Sequence, residues 1–249
     1  MHTKWRAGFG LAFALIGVGA VAAPLDLTVL QSAPQSGGGV SYSVPLQLLL
    51  LMSALTILPS LLLMATSFTR IIIVLSILRQ ALGTAQTPPN QVMIGIALVA
   101  TILVMQPTYE KLNQQAIAPY LAGEMAGDVA IEQGLTVVKR FMLANTKEAD
   151  LIAFADLVGG KTFKRIDDVP ITIAAPAFVA SEMRTGFEMG FMLFIPFLVI
   201  DLVIASILMS LGMMMVSPML VSLPFKLLLF VSVDGWAMTI GSLVQSYGK

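Results

Sequence analysis

The chain contains no cysteine, and its single histidine is His2. Without cysteine it can form no disulfide, thiolate metal site or cysteine nucleophile. A Ser-His-Asp relay or an imidazole metal ligand would depend on His2 alone, and that residue lies in a segment that the sequence predicts to be removed. Few classes of enzyme remain. We therefore predict a protein that is not an enzyme and that holds no metal or cofactor.

Charged residues are also scarce, at 11% of the 249 residues, and the mean hydropathy is +0.89. A soluble domain usually has about 25% charged residues, so this composition is typical of an integral membrane protein. The 14 basic residues balance the 14 acidic ones, and lysine and arginine do not cluster. Because binding to nucleic acid phosphates needs concentrated positive charge, we exclude nucleic acid as a partner.

The first 22 residues have the pattern of a secretory signal peptide. A basic start, MHTKWR, precedes an apolar run and an A-x-A site at Ala20-Val21-Ala22. We predict cleavage after Ala22, with an uncleaved first membrane helix as the alternative. Residues 23–44 are rich in glycine, serine and proline and predict a flexible lead.

Two long hydrophobic regions predict helical hairpins at residues 45–107 and 188–249. The first region contains a 37-residue apolar segment, 46–82, in which Pro59 is the only expected breaker. A continuous helix of that length would measure roughly 55 Å, against a hydrocarbon core of about 30 Å. The segment is therefore either a spanning helix followed by an interfacial one, or a long helix that projects beyond the membrane.

Residues 108–187 are polar, since they hold ten of the 14 acidic and eight of the 14 basic residues. Apolar residues recur among them at helical spacing, as at Leu135, Val138 and Phe141, which predicts a small helical domain in contact with water. The sequence has four segments that are long and apolar enough to span a membrane. With a cleaved signal peptide, this number predicts that the domain lies on the outer, periplasmic side. The predicted fold is an all-α integral membrane protein, with two hydrophobic helical hairpins and a small helical extracytoplasmic domain inserted between them.

Three charged residues lie within the apolar part of the last hairpin: Asp201, Lys226 and Asp234. An ionisable group at membrane depth costs at least ~2.5 kcal/mol, so each should face protein or water. One hypothesis is an ion-coupled secondary transporter that uses Asp201 and Asp234. Another is ion pairs between helices or subunits, in which Lys226, Arg70 or Arg79 neutralises the aspartates. An intramembrane aspartyl protease is a remote third hypothesis, because the residues before Asp234 lack the G-x-G-D pattern of such enzymes.

Pairs of small residues four apart predict close helix packing. Gly186 with Gly190 forms a G-x-x-x-G, and Ser206 with Ser210 repeats the spacing. Small residues at this spacing let two helix backbones approach closely. The partner helix can belong to the same chain or to another subunit, and the spacing favours neither.

Three consecutive methionines, Met213, Met214 and Met215, precede Ser217-Pro218. Successive residues of a helix point about 100° apart, so the three could not face one neighbour from a helix. They are a loop at a helix end, part of a ring of subunits, or core filling in a chain with 16 methionines. Because methionine is unbranched and adaptable, a collar of these side chains could close a passage and still yield to a chain that passes through.

Four long runs in the chain are specific enough to compare with a known family. They are PAFVASEMRTGFEMG at 176–190, FIPFLVID at 194–201, LGMMMVSP at 211–218 and LPFKLLLFVSVDGW at 223–236. Together they closely resemble the FliP family of flagellar type III secretion export-gate proteins. The signal peptide, first hairpin and polar insert also lie where that family has them. Injectisome relatives typically lack the cleaved signal, so its presence favours the flagellar branch.

The resemblance implies a gate subunit with no catalytic residue. Members of the family assemble as several copies, expected here as a pentamer, with FliQ and FliR in the bacterial inner membrane at the flagellar basal body. The gate passes unfolded flagellar proteins out of the cytoplasm. The family's methionine gasket maps onto Met213, Met214 and Met215.

The resemblance also bears on the charged residues and on the apparent membrane spans. The candidate ion-pair residues, within or between subunits, are Glu182, Arg184, Asp201, Lys226 and Asp234. All of these except Asp234 match charged positions within the family's motifs. The resemblance further implies that segments such as 46–82 are lifted out of the bilayer plane and buried against other subunits.

Overall fold

The computed structural model describes residues 33–34, 40–41, 44–84, 86–159, 163, 168–213 and 215–247. The predicted signal peptide and most of the predicted flexible lead lie outside the described residues. The chain divides into two units, Met1–Thr56 and Ile57–Lys249.

In the first unit, two short strands pair antiparallel. They are β1 (Ala33–Pro34) and β2 (Val40–Ser41), with Ala33 opposite Ser41. Helix α1 (Val44–Met64) begins in this unit. Its side chains from Leu48 to Thr56 are exposed and mostly apolar, so this part of α1 presents an apolar surface.

A sharp break separates α1 from α2 (Phe68–Ala81), and the two helices are bent by 72° there. The hydroxyl of Thr66 donates to the carbonyl of Leu63 at 2.8 Å and accepts the amide proton of Phe68 at 3.3 Å. Such side-chain bonds to the backbone compete with the helical ladder and favour a helix end.

Proline does not cause the break. Pro59, the expected breaker, lies inside α1 without ending it. The apolar segment 46–82 is therefore two helices rather than one long helix, and its division comes after the proline.

Helix α2 packs against α3 (Asn90–Leu112), and the two form the first hairpin. The buried apolar residues recur every three or four positions on each helix, so each buries one face. This core contains Ile71, Val74, Leu75, Met93, Ala97, Ala100, Val104 and Leu243.

The described part of the region between the hairpins is mainly helical. Helix α3 continues through a π-helical segment (Asn113–Ile117) into α4 (Ala118–Leu121). Helices α5 (Gly127–Ala144) and α6 (Glu148–Leu157) follow. A second apolar core joins this region to the next helix through Leu143, Ala155, Val169, Ile173 and Ala174.

Helix α7 (Ile171–Ser210) is continuous over 40 residues, which corresponds to about 60 Å. Pro176 and Pro196 lie inside it without ending it. The predicted boundary between the polar region and the second hairpin, at residues 187 and 188, falls within this helix. The change in composition there marks a change of surroundings along one helix and not the start of a new element.

The last two helices of the described chain are α8 (Pro218–Ser232) and α9 (Gly235–Gln245). They are bent by 61° relative to each other. Asp234 at the bend has a left-handed backbone, with φ at +50°. A Cβ on Gly235 would lie 2.2 Å from the ring of Phe230. Only glycine fits against that ring, so the bend depends on this residue.

Two helices in the described part of the chain are long and apolar enough to cross a membrane. They are the helix from Asn90 to Leu121 and α7, and the number rises to four if each bent pair forms one span. The upper number of four equals the number of membrane-spanning segments that the sequence predicts. The predicted class, an all-α membrane-type protein, is confirmed, with the two-residue strands as a small addition.

Candidate functional site

The methionine triplet follows a defined helix end. Gly212 has a left-handed backbone, with φ at +73°. The amide of Met213 donates to the carbonyl of Leu208 at 2.9 Å, and the amide of Gly212 donates to Met209 at 3.0 Å. These two bonds form a Schellman cap, which ends a helix at a left-handed glycine. The triplet therefore begins a loop between α7 and α8, and the chain becomes helical again at Pro218, a residue suited to a first turn.

The described methionine side chains at this loop, Met213 and Met215, face outward. Met213 is 44% exposed and Met215 is 99% exposed, while Met214 lies outside the described residues. Neither described methionine fills a core within the chain. Apolar side chains exposed in this way mark a surface for another molecule, another copy of the chain or lipid. We call residues 213–216 the methionine loop.

A buried ion pair joins α2 to α7. Arg70 and Glu182 have side chains that are 5% and 0% exposed. Nε of Arg70 donates to Oε2 of Glu182 at 3.1 Å, and Nη2 donates to Oε1, so the pairing is bidentate. Bidentate pairing with a guanidinium is among the strongest ways to satisfy a buried carboxylate.

Residues that follow α9 complete this arrangement. The hydroxyl of Tyr247 donates to Oε2 of Glu182, and Cζ of Arg70 lies 3.9 Å from the centre of the Tyr247 ring. Nη1 of Arg70 donates to the hydroxyl oxygen of Ser246 at 3.0 Å. We call Arg70, Glu182, Ser246 and Tyr247 the Arg70 cluster. It ties three separate parts of the chain together: α2, α7 and the segment after α9.

The tyrosine of the cluster is held in its protonated form. Burial raises the pKa of Tyr247 above its ordinary value, and the negative charge of Glu182 raises it further. The phenol therefore stays protonated at neutral pH and remains a donor to the carboxylate. A buried charge is stable only when it is paired and hydrogen-bonded, and Glu182 has both kinds of partner.

A second ion pair joins α8 to α7. Nζ of Lys226 lies 2.5 Å from Oδ2 of Asp201 and donates to the carbonyl of Ala81 at 3.1 Å. The hydroxyl of Ser222 donates to the other carboxylate oxygen at 2.5 Å. The side chains of Lys226 and Asp201 are 4% and 31% exposed. We call Lys226, Asp201, Ser222 and the Ala81 carbonyl the Lys226 cluster, and it links the last hairpin to the end of α2.

Two further ion pairs hold the neighbourhood of α6 against α7. Nη2 of Arg184 lies 2.8 Å from Oδ1 of the buried Asp150. Nζ of Lys147 lies 2.7 Å from Oε2 of Glu188, and both of these side chains are exposed. Arg184, a candidate from the sequence, therefore pairs with a residue that the sequence analysis did not single out.

Asp234 is the exception among the candidate charged residues. It is exposed at the bend before α9, and its side chain makes no ion pair or capping hydrogen bond within the described residues. No contact in the described part of the chain joins it to Asp201, whose two oxygens are bound by Lys226 and Ser222. Of the two aspartates of the transporter hypothesis, Asp201 is thus paired and Asp234 is exposed.

The two glycines of the G-x-x-x-G pack inside the chain. A Cβ on Gly186 would lie 3.2 Å from the side chain of Ile73, and one on Gly190 would lie 2.4 Å from the side chain of Ile77. Both isoleucines belong to α2. The missing side chains therefore allow α7 to approach α2 of the same chain.

The two serines behave differently. The hydroxyl of Ser206 donates to the carbonyl of Leu202, and that of Ser210 donates to Ile207, each within α7. Both serines are exposed, and no other helix of the described chain covers them. This part of α7 is accessible to a partner.

Some members of these clusters gave little signal in the sequence. Arg70 could be noted as a charge in an apolar segment, because such a group needs a partner. Tyr247 lies 65 residues from Glu182 in sequence, and neither spacing nor composition links the two. Among the described residues, no three His, Cys, Asp or Glu side chains converge as metal ligands.

Comparison with known proteins identifies relatives along most of the chain. The model of the FliP family matches residues 51–243. The flagellar biosynthetic protein FliP of Cereibacter sphaeroides is 59% identical over 216 residues, which is 87% of this chain and 72% of that protein. The FliP protein of Pectobacterium carotovorum is 49% identical over 240 residues, covering 96% and 92% of the two chains. That of Bacillus subtilis is 45% identical over 207 residues, covering 83% and 94%.

Proposed function

The chain belongs to the FliP family, and on that premise we propose that it is a subunit of the flagellar export gate. Its relatives are named flagellar biosynthetic proteins, and we carry a role in flagellum biogenesis over to this chain. The proposed gate is a multisubunit channel in the inner membrane, at the flagellar basal body. Unfolded flagellar proteins leave the cytoplasm through it.

The methionine loop is the proposed seal of this channel. The observation that carries the proposal is the exposure of Met213 and Met215 directly after a helix that is fixed by its own cap. A flexible thioether side chain can fill irregular gaps between subunits and can be pushed aside by a passing polypeptide. Met214, between them in sequence, would complete the collar.

The buried ion clusters support a rigid frame behind that seal. The Lys226 cluster ties α8 to α7 on the two sides of the methionine loop. Breaking one partner of a buried pair is costly, so the hairpin is held in one arrangement while the loop remains free to adapt. Their place in the gate is structural, and none of these residues acts as a catalyst in the proposal.

The oligomer is proposed from the apolar surface that the chain leaves uncovered. The second half of α7 and much of α8 are exposed and apolar, and such surfaces mark contacts with other proteins or with lipid. We propose that copies of this chain, five in the family's arrangement, share this surface with FliQ and FliR. The region between the hairpins would then lie on the periplasmic side.

Removal of the methionine side chains tests the seal. The variant with Met213→Ala, Met214→Ala and Met215→Ala should assemble normally but leak ions, since the collar loses its bulk. Ion permeability would be measured in cells that contain the complete gate, with assembly followed by co-purification of the subunits. A matched control is Met219→Ala, because Met219 is 59% exposed in the same hairpin but lies outside the loop. Unchanged permeability in the triple variant, with assembly intact, would refute the sealing role.

A further inference from the structure

A polar cavity lies beside the end of α3, away from the methionine loop. Its volume is about 570 Å³, and it is bounded by α3, the π-helical segment, α5 and Tyr247. The polar residues on its wall are Thr108, Lys111, Gln115, Arg140, Asn145 and Tyr247. None of the described residues that line it is acidic. The wall offers positive charge and hydrogen-bond donors but no carboxylate.

Lys111 is the cation that is available to a ligand. It makes no ion pair within the described part of the chain, and it lies in the last turn of α3. Arg140 brings a second positive charge to the wall and also has an interaction within the protein. The carboxylate that Tyr247 contacts, Glu182, is already paired with Arg70. The charge of the cavity therefore favours an anion.

The apolar side of α3 continues from this cavity towards the middle of the helix. Val99, Leu103, Pro107 and Lys111 are spaced four residues apart, so they form one ridge of α3 that turns by about 40° around the helix at each step. Pro107 and Lys111 line the cavity, while Val99 is 62% exposed and Leu103 is 53% exposed. From Val99 to Lys111 the helix rises about 18 Å, somewhat more than half of the ~30 Å hydrocarbon core.

We propose that this cavity binds the phosphate head group of an anionic phospholipid. The acyl chains would lie along the exposed apolar row from Leu103 to Val99, while the phosphate meets Lys111 and the amide and hydroxyl groups of the wall. A free phosphate ion offers the same charge but would leave the apolar row uncovered. This combination of charge and apolar surface is what selects the lipid. The inference does not depend on the sealing role of the methionine loop.

Lipid retention by the full-length protein in a neutral detergent tests the proposal. The protein is mixed with phosphatidylglycerol or with phosphatidylcholine of the same acyl chains, and bound lipid is counted by native mass spectrometry. The wild type should retain phosphatidylglycerol in preference to phosphatidylcholine. Lys111→Gln should lower that retention about fivefold, the effect of one basic side chain near an anionic lipid. Lys111→Arg, which keeps the charge, should restore most of the retention.

Two other variants make the result specific. Lys147→Gln removes an exposed cation outside the cavity and should leave retention unchanged. Gln115→Glu adds a carboxylate to the wall of the cavity without removing a cation, and it should lower retention even if Lys111→Gln proves unstable. Equal retention of the two lipids by the wild type, or equal loss in Lys147→Gln, would overturn the proposal. Displacement of phosphatidylglycerol by equimolar inorganic phosphate would assign the site to a free anion and would overturn the lipid as its occupant.

Discussion

The two halves of α7 have the same length but different surroundings. In the first 20 residues, 171–190, eight side chains or glycines are buried, and Glu182 is among them. In the last 20, 191–210, only Phe197 and Leu208 are buried. The first half packs against α2, α5 and α6 of the same chain. The second half packs through Phe197 against the end of α2 and against Phe230 of α8, and it shares the Lys226 cluster with α8.

This difference separates what the chain stabilises by itself from what it leaves to its surroundings. The first half has charged residues, but they are paired inside the chain and so contribute to one fixed arrangement. The second half is mostly apolar and exposed, and an apolar surface of this kind requires lipid or protein to cover it. We expect substitutions in the first half to change folding and substitutions at the end of the second half to change the gate.

The largest effect is expected from Glu182→Ala in the Arg70 cluster. Arg70 would keep its buried charge without a counter-ion, which should lower the free energy of unfolding by about 3–5 kcal/mol. Chemical unfolding of the purified protein in detergent measures this change. Glu188→Ala is the matched control on the same helix, because its ion pair with Lys147 is exposed and should contribute no more than about 1 kcal/mol. Equal losses in the two variants would remove the distinction between buried and exposed pairs.

A smaller loss is expected from Asp201→Asn in the Lys226 cluster. Lys226 would retain the Ala81 carbonyl but lose its charged partner, at a cost of about 2 kcal/mol. The free energy of unfolding and the co-purification of the subunits should both decrease. If folding and assembly stay normal while export stops, the result would support an ion relay through Asp201 in place of a structural pair.

The glycine contact between α7 and α2 is expected to matter less. Gly190→Ala places a Cβ against Ile77 and should lower the free energy of unfolding by about 1–2 kcal/mol. Gly95→Ala is the matched control, since nothing lies within 4 Å of a Cβ at that position in α3. Alanine has less backbone entropy than glycine in the unfolded chain. Gly95→Ala should therefore raise the free energy of unfolding by about 0.5–1 kcal/mol. If the free energy of unfolding changed in the same direction in both variants, the close packing at Gly190 would be contradicted.

The smallest effect on folding is expected at the methionine loop. Met215→Ala removes a side chain that is almost wholly exposed and makes little contact with the rest of the chain. The unfolding curve should therefore superimpose on that of the wild type. A clear loss of stability would mean that the side chain packs within the chain, and the methionine loop would then not be an uncovered surface.

Some of this arrangement could be predicted from the sequence for a physical reason. A charge in an apolar segment is costly unless it is paired, and this led to Asp201 and Lys226, which lie 2.5 Å apart. Glycines four apart predicted a close helix contact, and the structure locates it within the chain. The end of α7 at the left-handed Gly212, ahead of the methionines, was not predicted, although glycine is a common residue at helix ends.

Other features depend on contacts that are distant in sequence and could not be predicted. Nothing near Tyr247 indicates that its hydroxyl reaches Glu182, because the fold alone brings them together. The division of the chain at residues 187 and 188 followed composition, but α7 continues through it because its polar residues pair with the neighbouring helices. The break after α1 is set by local bonds of Thr66 and not by the more conspicuous Pro59.

A crosslink from the methionine loop to a substrate tests the central claim most directly. Because the chain has no cysteine, Met215→Cys introduces a single reactive thiol, and Asp128→Cys places an equally unique thiol on the exposed start of α5. Each variant would be expressed in intact cells with an export substrate stalled in the gate. We expect the substrate to crosslink to position 215 and not to position 128. Crosslinking at position 128 without crosslinking at position 215 would contradict the proposal that the methionine loop lines the passage.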